Sequence, residues 1–193
     1  GATLLSNYTL PTAASGAGAI TVAPLTAAVT GTPTRVYNGT TVATLAPANY
    51  ALTGFVSGEG ATVTQTAGTY NSKDVVTATT VSVTLAPTDF TATGATLLSN
   101  YTLPTAASGA GQITAYAVSM TGVRAYDSTT SVAAGIFTLN PLVGTETLTL
   151  SGTGSVSSAN AGTYTVALGT LSLGTLALGD GTNGGLAGNY TFT

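Results

Sequence analysis

The chain has 193 residues, three cationic and six acidic side chains, a net charge of −3, and neither cysteine nor histidine. Charged residues make up 5% of it, against roughly 25% in ordinary soluble domains, so no basic patch exists to neutralise phosphates and nucleic acid is excluded as a partner. A disulfide framework, a thiolate metal site, a cysteine nucleophile and a histidine base go with the missing residue types.

The chain opens on GATLLSNYTLPTAASGAG at residues 1–18, and residues 94–111 repeat those letters without a change. A looser echo near the end, Asn189-Tyr190-Thr191, answers Asn7-Tyr8-Thr9 and Asn100-Tyr101-Thr102. Recurrence on this scale marks a tandem array. It divides the chain into residues 1–18, the C-terminal tail of a preceding repeat; residues 19–111, a first repeat domain with its linker; and residues 112–193, a second repeat domain. A piece of a longer repeating polypeptide is expected, and no signal peptide shows at its start.

Strand signals run through both units. Ala19-Ile20-Thr21-Val22 and Gln112-Ile113-Thr114-Ala115 open them, Val81-Ser82-Val83-Thr84-Leu85 and Thr147-Leu148-Thr149-Leu150-Ser151 alternate strictly, and Tyr164, Val166 and Leu168 alternate with Thr163, Thr165 and Ala167. Period two puts apolar groups on one face and hydroxyls on the other, the pattern of a half-buried strand. Threonine suits this use because its branched side chain fits a pleated surface. Turn signals at Asn38-Gly39, Gly68, Asn140-Pro141, Gly152 and Gly162 punctuate the strands, and no stretch has helical spacing with caps. The fold class predicted is all-β: tandem Ig-like or β-sandwich-type repeat domains in an elongated rod. The mean hydropathy is +0.41, yet no apolar run reaches the ~18–20 residues of a spanning helix. Without aromatic girdles, an outer-membrane barrel is the weakest reading.

Laid side by side, the units share landmarks in one order. Arg35-Val36-Tyr37-Asn38-Gly39-Thr40-Thr41 answers Arg124-Ala125-Tyr126-Asp127-Ser128-Thr129-Thr130. Leu52-Thr53-Gly54-Phe55-Val56-Ser57-Gly58-Glu59 has its echo in residues 139–146, and Ala67-Gly68-Thr69-Tyr70 aligns with Ala161-Gly162-Thr163-Tyr164. This ordered set, ending on Asn-Tyr-Thr, resembles the YDG-type tandem repeat of large haemagglutinin-like secreted exoproteins and adhesins of Gram-negative bacteria. Asn38 stands where the family name implies Asp, Ser128 where it implies Gly, and Glu59 and Glu146 where Asp is common. The resemblance implies an extracellular, cell-surface stalk segment without catalytic activity or cofactor.

The landmark residues are therefore Tyr37, Asn38, Gly39, Tyr126, Asp127, Asn100, Tyr101, Asn189 and Tyr190. At Tyr37-Asn38-Gly39 and Tyr126-Asp127-Ser128 the expectation is a tight turn, with the tyrosine packed beside it and its hydroxyl satisfied by backbone. Arg35 and Arg124 precede these turns and have Glu59 or Asp127 as available partners. A calcium site needs six to eight oxygens, and the loop Gly179-Asp180-Gly181-Thr182-Asn183-Gly184 offers one acid, so a glycine-rich turn is the better reading. Asn7, Asn38, Asn100 and Asn189 head Asn-x-Thr sequons.

Two functions compete. One is a structural spacer that projects an adhesive tip and self-associates in cell–cell cohesion or biofilm, since the edge strands lack the lysines that block strand pairing. Its partners are neighbouring repeats of the same polypeptide and other copies, by lateral association or strand exchange. The other is a carbohydrate-binding module that meets extracellular glycans on exposed tyrosines, with Tyr50, Tyr70, Tyr116 and Tyr164 as candidates.

Overall fold

The computed structural model describes residues 4–9, 11–165 and 169–193. It is all-β, and its only helical turns are single 3-10 segments among the described residues. Twelve strands occupy the first half. They are β1 (Ala23–Pro24), β2 (Thr26–Val29), β3 (Thr34–Val36), β4 (Val42–Thr44), β5 (Tyr50–Thr53) and β6 (Gly60–Val63), followed by β7 (Ala67–Tyr70), β8 (Thr80–Thr84), β9 (Phe90–Thr93), β10 (Tyr101–Thr102), β11 (Ala106–Ala110) and β12 (Gln112–Thr114). The second half carries β13 (Tyr116–Gly122), β14 (Ser131–Ala133), β15 (Phe137–Asn140), β16 (Leu148–Ser151), β17 (Thr153–Val156), β18 (Leu171–Ser172), β19 (Ala177–Asp180) and β20 (Tyr190–Phe192).

Pairing repeats from one half to the other. The row β4–β7–β8 recurs as β14–β17–β18, β2–β5 as β13–β15, and β6–β9 as β16–β19. The parallel pair β1–β10 recurs as β13–β20. None of these sheets closes into a barrel. Short 3-10 turns launch several of the strands. Before β5 and β9 the cause is local: the Asn49 and Asp89 side chains each accept a hydrogen bond from the N–H three residues back, at 2.9 Å and 2.7 Å, and the proline between fixes the backbone.

The strands read from alternation at Val81-Ser82-Val83 and Leu148-Thr149-Leu150 are β8 and β16, and β8 buries every second residue. Thr163 to Thr165 lie outside any strand, while the rest of that predicted strand, residues 166–168, lies outside the described residues. Two other expectations change. Residues 19–22 form no strand and leave Ile20 fully exposed, whereas the matching Gln112–Thr114 pairs in parallel with β3 and buries Ile113 completely. The alignment of Ala67-Gly68 with Ala161-Gly162 also gives way. Ala43 faces Gly68, and its counterpart Val132 faces Gly154, so the register equates β7 with β17. The letters Ala-Gly-Thr-Tyr simply occur twice in different places.

The first half thus holds two strands with no equivalent in the second among the described residues. β11 adds a fourth strand to β8, and β12 closes against β3. Both come from the stretch that leads from one half to the other. Buried side chains from β4, β7, β8, β11 and β12 join Val118 and Tyr190 of the second half in one apolar cluster.

Candidate functional site

The most elaborate arrangement of polar groups lies where the halves meet, and its first component is a turn. In Tyr37-Asn38-Gly39-Thr40, the Asn38 side-chain oxygen accepts from the Thr40 N–H at 3.1 Å, the Thr40 hydroxyl at 2.9 Å and the Arg35 guanidinium. Asp127 repeats the device, accepting from the Thr129 N–H at 2.9 Å and hydroxyl at 2.8 Å and pairing with Arg124. The Thr129 backbone N–H and Arg124 hold the Asp127 carboxyl down at about 2. Gly39 takes a φ of 77°, and Ser128 at the same place a φ of 60°. The arginines therefore staple the turn, and Arg35 does not reach Glu59.

The turn aims Tyr37 across the boundary, where it is 1% exposed. Its hydroxyl donates to Glu146 Oε1 at 2.6 Å, so the expectation of a backbone partner is corrected: the acceptor is a carboxylate of the other half. Tyr190 donates to Glu146 Oε2, also at 2.6 Å, and accepts from the Val143 N–H at 3.1 Å. The two rings meet edge to face with centroids 5.7 Å apart. One carboxylate thus clamps two tyrosines, one from each half. A charged acceptor shielded by aromatic rings makes each bond stronger than a neutral one.

Beside the clamp, Lys73 donates to Asp74 Oδ1 at 2.9 Å and to the Tyr37 hydroxyl at 3.2 Å. Asn189, 1% exposed, donates to the same Asp74 oxygen at 2.8 Å and accepts from the Val75 N–H at 2.8 Å. A buried amide with both ends engaged costs nothing in unsatisfied groups and fixes orientation. Burial, then the Glu146 bond, pushes the Tyr190 hydroxyl up to about 12 and raises that of Tyr37. The hydrogen bond to Asp74 raises Lys73 above the usual lysine range. Burial works against the Asp74 charge, but the Lys73 and Asn189 bonds outweigh it and the carboxyl sits below its ordinary value.

Most of these groups have a counterpart in the other half. In the first half Tyr101 donates to Glu59 Oε2 and accepts from the Val56 N–H at 3.2 Å, reproducing the Tyr190–Glu146–Val143 trio. Asn100, the equivalent of Asn189, is exposed. In the second half Tyr126, the equivalent of Tyr37, is 68% exposed, and Asn160 lies four residues past β17 as Asp74 does past β7. The sequence places Tyr37, Asn189 and Tyr190 among its landmarks, and the structure brings these three together. Lys73, Asp74 and Val75 complete the site unannounced. Glu146 had a signal, since an acid recurs at Glu59.

The other readings resolve locally. Asp180 accepts from the Ala187 N–H at 2.7 Å, which makes it a turn cap. Among the glycan candidates Tyr70 is buried, with its hydroxyl on the Pro33 carbonyl at 3.0 Å, and Tyr50 donates to the Gln65 carbonyl at 2.7 Å. Among the described residues, no helix is long and apolar enough to cross a membrane.

Fold and site together define an all-β chain with internally repeated pairing and a tyrosine–carboxylate joint between its halves. A YDG domain is found at residues 21–109, a span that ends inside β11. No curated protein and no solved structure matches the chain.

Proposed function

We propose that this chain is a structural stalk or spacer segment of a large extracellular bacterial adhesin or filament, built from Ig-like units stacked end to end in a rod. The observation that carries the reading is the Tyr37–Glu146–Tyr190 clamp, whose parts recur as Tyr126 in the second half and Glu59–Tyr101 in the first. A joint that fixes each unit on the next and offers both halves of itself again belongs to an array, where stability is summed over units and their contacts. Small-angle scattering on the chain tests it. An elongated particle that keeps its length when calcium is chelated is expected, and Glu146→Ala should broaden the distribution of lengths. A compact, near-spherical profile would sink the reading.

A second reading, a carbohydrate-binding module, draws on one observation. A groove of about 380 Å³ in the second half is lined by Tyr126, Asn160 and Tyr164 among others. Glycan titration with Tyr126→Ala as the control separates the two readings, since a spacer shows no saturable binding.

A further inference from the structure

Asn-Gly occurs twice in the chain, at Asn38-Gly39 and Asn183-Gly184, and both asparagines are exposed. In each pair the glycine has no side chain to keep its nitrogen away from the carboxamide carbon before it. The two carboxamides are held in opposite ways. At Asn38 three donors converge on Oδ1: the Thr40 N–H at 3.1 Å, the Thr40 hydroxyl at 2.9 Å and the Arg35 guanidinium. Donors can meet only the oxygen, so Nδ2 faces away from them and has no partner among the described residues. At Asn183 the nitrogen is the tied atom. It donates to the Thr145 carbonyl at 2.9 Å, and no donor among the described residues meets the oxygen. The first arrangement supports negative charge on oxygen and leaves the nitrogen free to depart. The second does neither.

We propose that Asn38 converts itself to aspartate in the folded chain, with water as the only reagent and Arg35 and Thr40 as the groups that hasten it. The Gly39 N–H, which no acceptor holds among the described residues, gives its proton to hydroxide. Its nitrogen attacks Asn38 Cγ, and the carbonyl electron pair moves onto Oδ1, where the three donors stabilise it. Collapse re-forms the carbonyl and breaks the Cγ–Nδ2 bond, and Nδ2 takes a proton from water and leaves as ammonia. Water then adds to Cγ of the five-membered imide, whose Oδ1 keeps the same donors. The bond from Cγ to the Gly39 nitrogen breaks, and that nitrogen regains its proton. In sum, carboxamide and water give carboxylate and ammonium. The second half shows that the product fits. Asp127 accepts from the Thr129 N–H at 2.9 Å and hydroxyl at 2.8 Å and pairs with Arg124. The ion pairs among the described residues are Lys73–Asp74 and Arg124–Asp127, so Arg35 is the cation without a carboxylate, and the conversion supplies one.

The proposal is independent of the spacer reading, and the second Asn-Gly is its control inside the same molecule. The folded chain is held in mildly alkaline buffer, sampled over time and cut with trypsin, which places Asn38 on residues 36–73 and Asn183 on residues 125–193. Fragment mass and chromatographic retention then follow each site. Asn38 should convert about tenfold or more faster than Asn183, as expected for an oxygen held by preorganised donors, and its product should be aspartate. In urea neither carboxamide keeps its contacts, and the two rates should converge. Arg35→Gln should remove the lead of Asn38 and leave Asn183 unchanged. Thr40→Val, which deletes one donor and keeps the branched shape, should shorten that lead. A chain made with Asn38→Asp should unfold at a temperature no lower than the parent's. Equal rates in the folded chain, or a slower Asn38, overturn the proposal. So does an Arg35→Gln chain that converts Asn38 as fast as the parent. A product that is mainly isoaspartate overturns it too, because water would then have added at the backbone carbonyl and not at the carbon whose oxygen the donors hold.

Discussion

Residues 4–9 and 11–18 share every letter with 97–102 and 104–111 and little of their structure. Leu5–Asn7 and Leu98–Asn100 form the same 3-10 turn, because that turn needs only its own backbone. Beyond it they part. Tyr101 is 6% exposed and hydrogen-bonded, while Tyr8 is 61% exposed. Ala106–Ala110 is a strand against β8, and residues 13–17 are not in a strand. A 3-10 turn is local, whereas a strand is half of a pair and buries its apolar face only when the other half is present. The same lesson holds for Tyr37 and Tyr126, one buried in the joint and one bare.

The largest break in the comparison comes from glycine. Gly109→Val drives a side chain into the Val29 carbonyl and should cost about 3 kcal/mol or more, seen as a large drop in the denaturation midpoint. Gly16→Val at the same letter should leave the midpoint of dilute protein unchanged. Equal losses at both sites would mean that residues 13–17 are packed after all.

Tyrosine gives the next effect. Tyr37→Phe removes one donor from Glu146 and a partner from Lys73, and should cost about 1–2 kcal/mol in urea unfolding. Tyr126→Phe should change stability by less than about 0.5 kcal/mol, as for an exposed surface position.

Alkali should probe the joint without a mutation. Folded Tyr190 keeps its proton up to about 12, against an ordinary value of 10.0, so between those limits the folded chain binds more protons than the unfolded one. Its contribution is complete below pH 10, falls as pH rises and is gone above pH 12. Tyr37 adds to the loss in the same direction. Stability measured across this window should fall more steeply in the parent than in Tyr190→Phe. Parallel curves would show that Tyr190 is not held by the carboxylate.

The smallest expected change is a gain. Ser128 sits at a φ of 60° where Gly39 has 77°, so Ser128→Gly relieves a left-handed backbone and should stabilise the second half by about 0.5–1 kcal/mol. A loss would mean that the Ser128 hydroxyl bond to the Asp127 carbonyl outweighs the strain.

Much of this was legible in the letters. Alternation marked β8 and β16, the repeat marked the duplication, and the landmarks Tyr37, Asn189 and Tyr190 proved to share one site. What stayed hidden was pairing between distant residues. Lys73-Asp74-Val75 appears in one half only, and its counterpart Asn160 carries no charge, so no recurrence drew attention to it. The repeated Ala-Gly-Thr-Tyr drew the alignment to Tyr164, although the register places β17 nearer the start of the chain. No periodicity reveals that Ile113 belongs to the sheet of the half before it.

That last placement has a mechanical consequence. Because β12 lies parallel to β3 and runs straight on into β13, a pull on the two ends of the first half loads the Gln112–Thr114 ladder along its length. Its bonds must then slip together instead of opening one after another. Stretched singly between a fixed surface and a probe, the first half should hold to higher forces than the second, whose Val123-Arg124-Ala125 edge carries no such ladder among the described residues. A lesion such as Ile113→Ala should erase the difference.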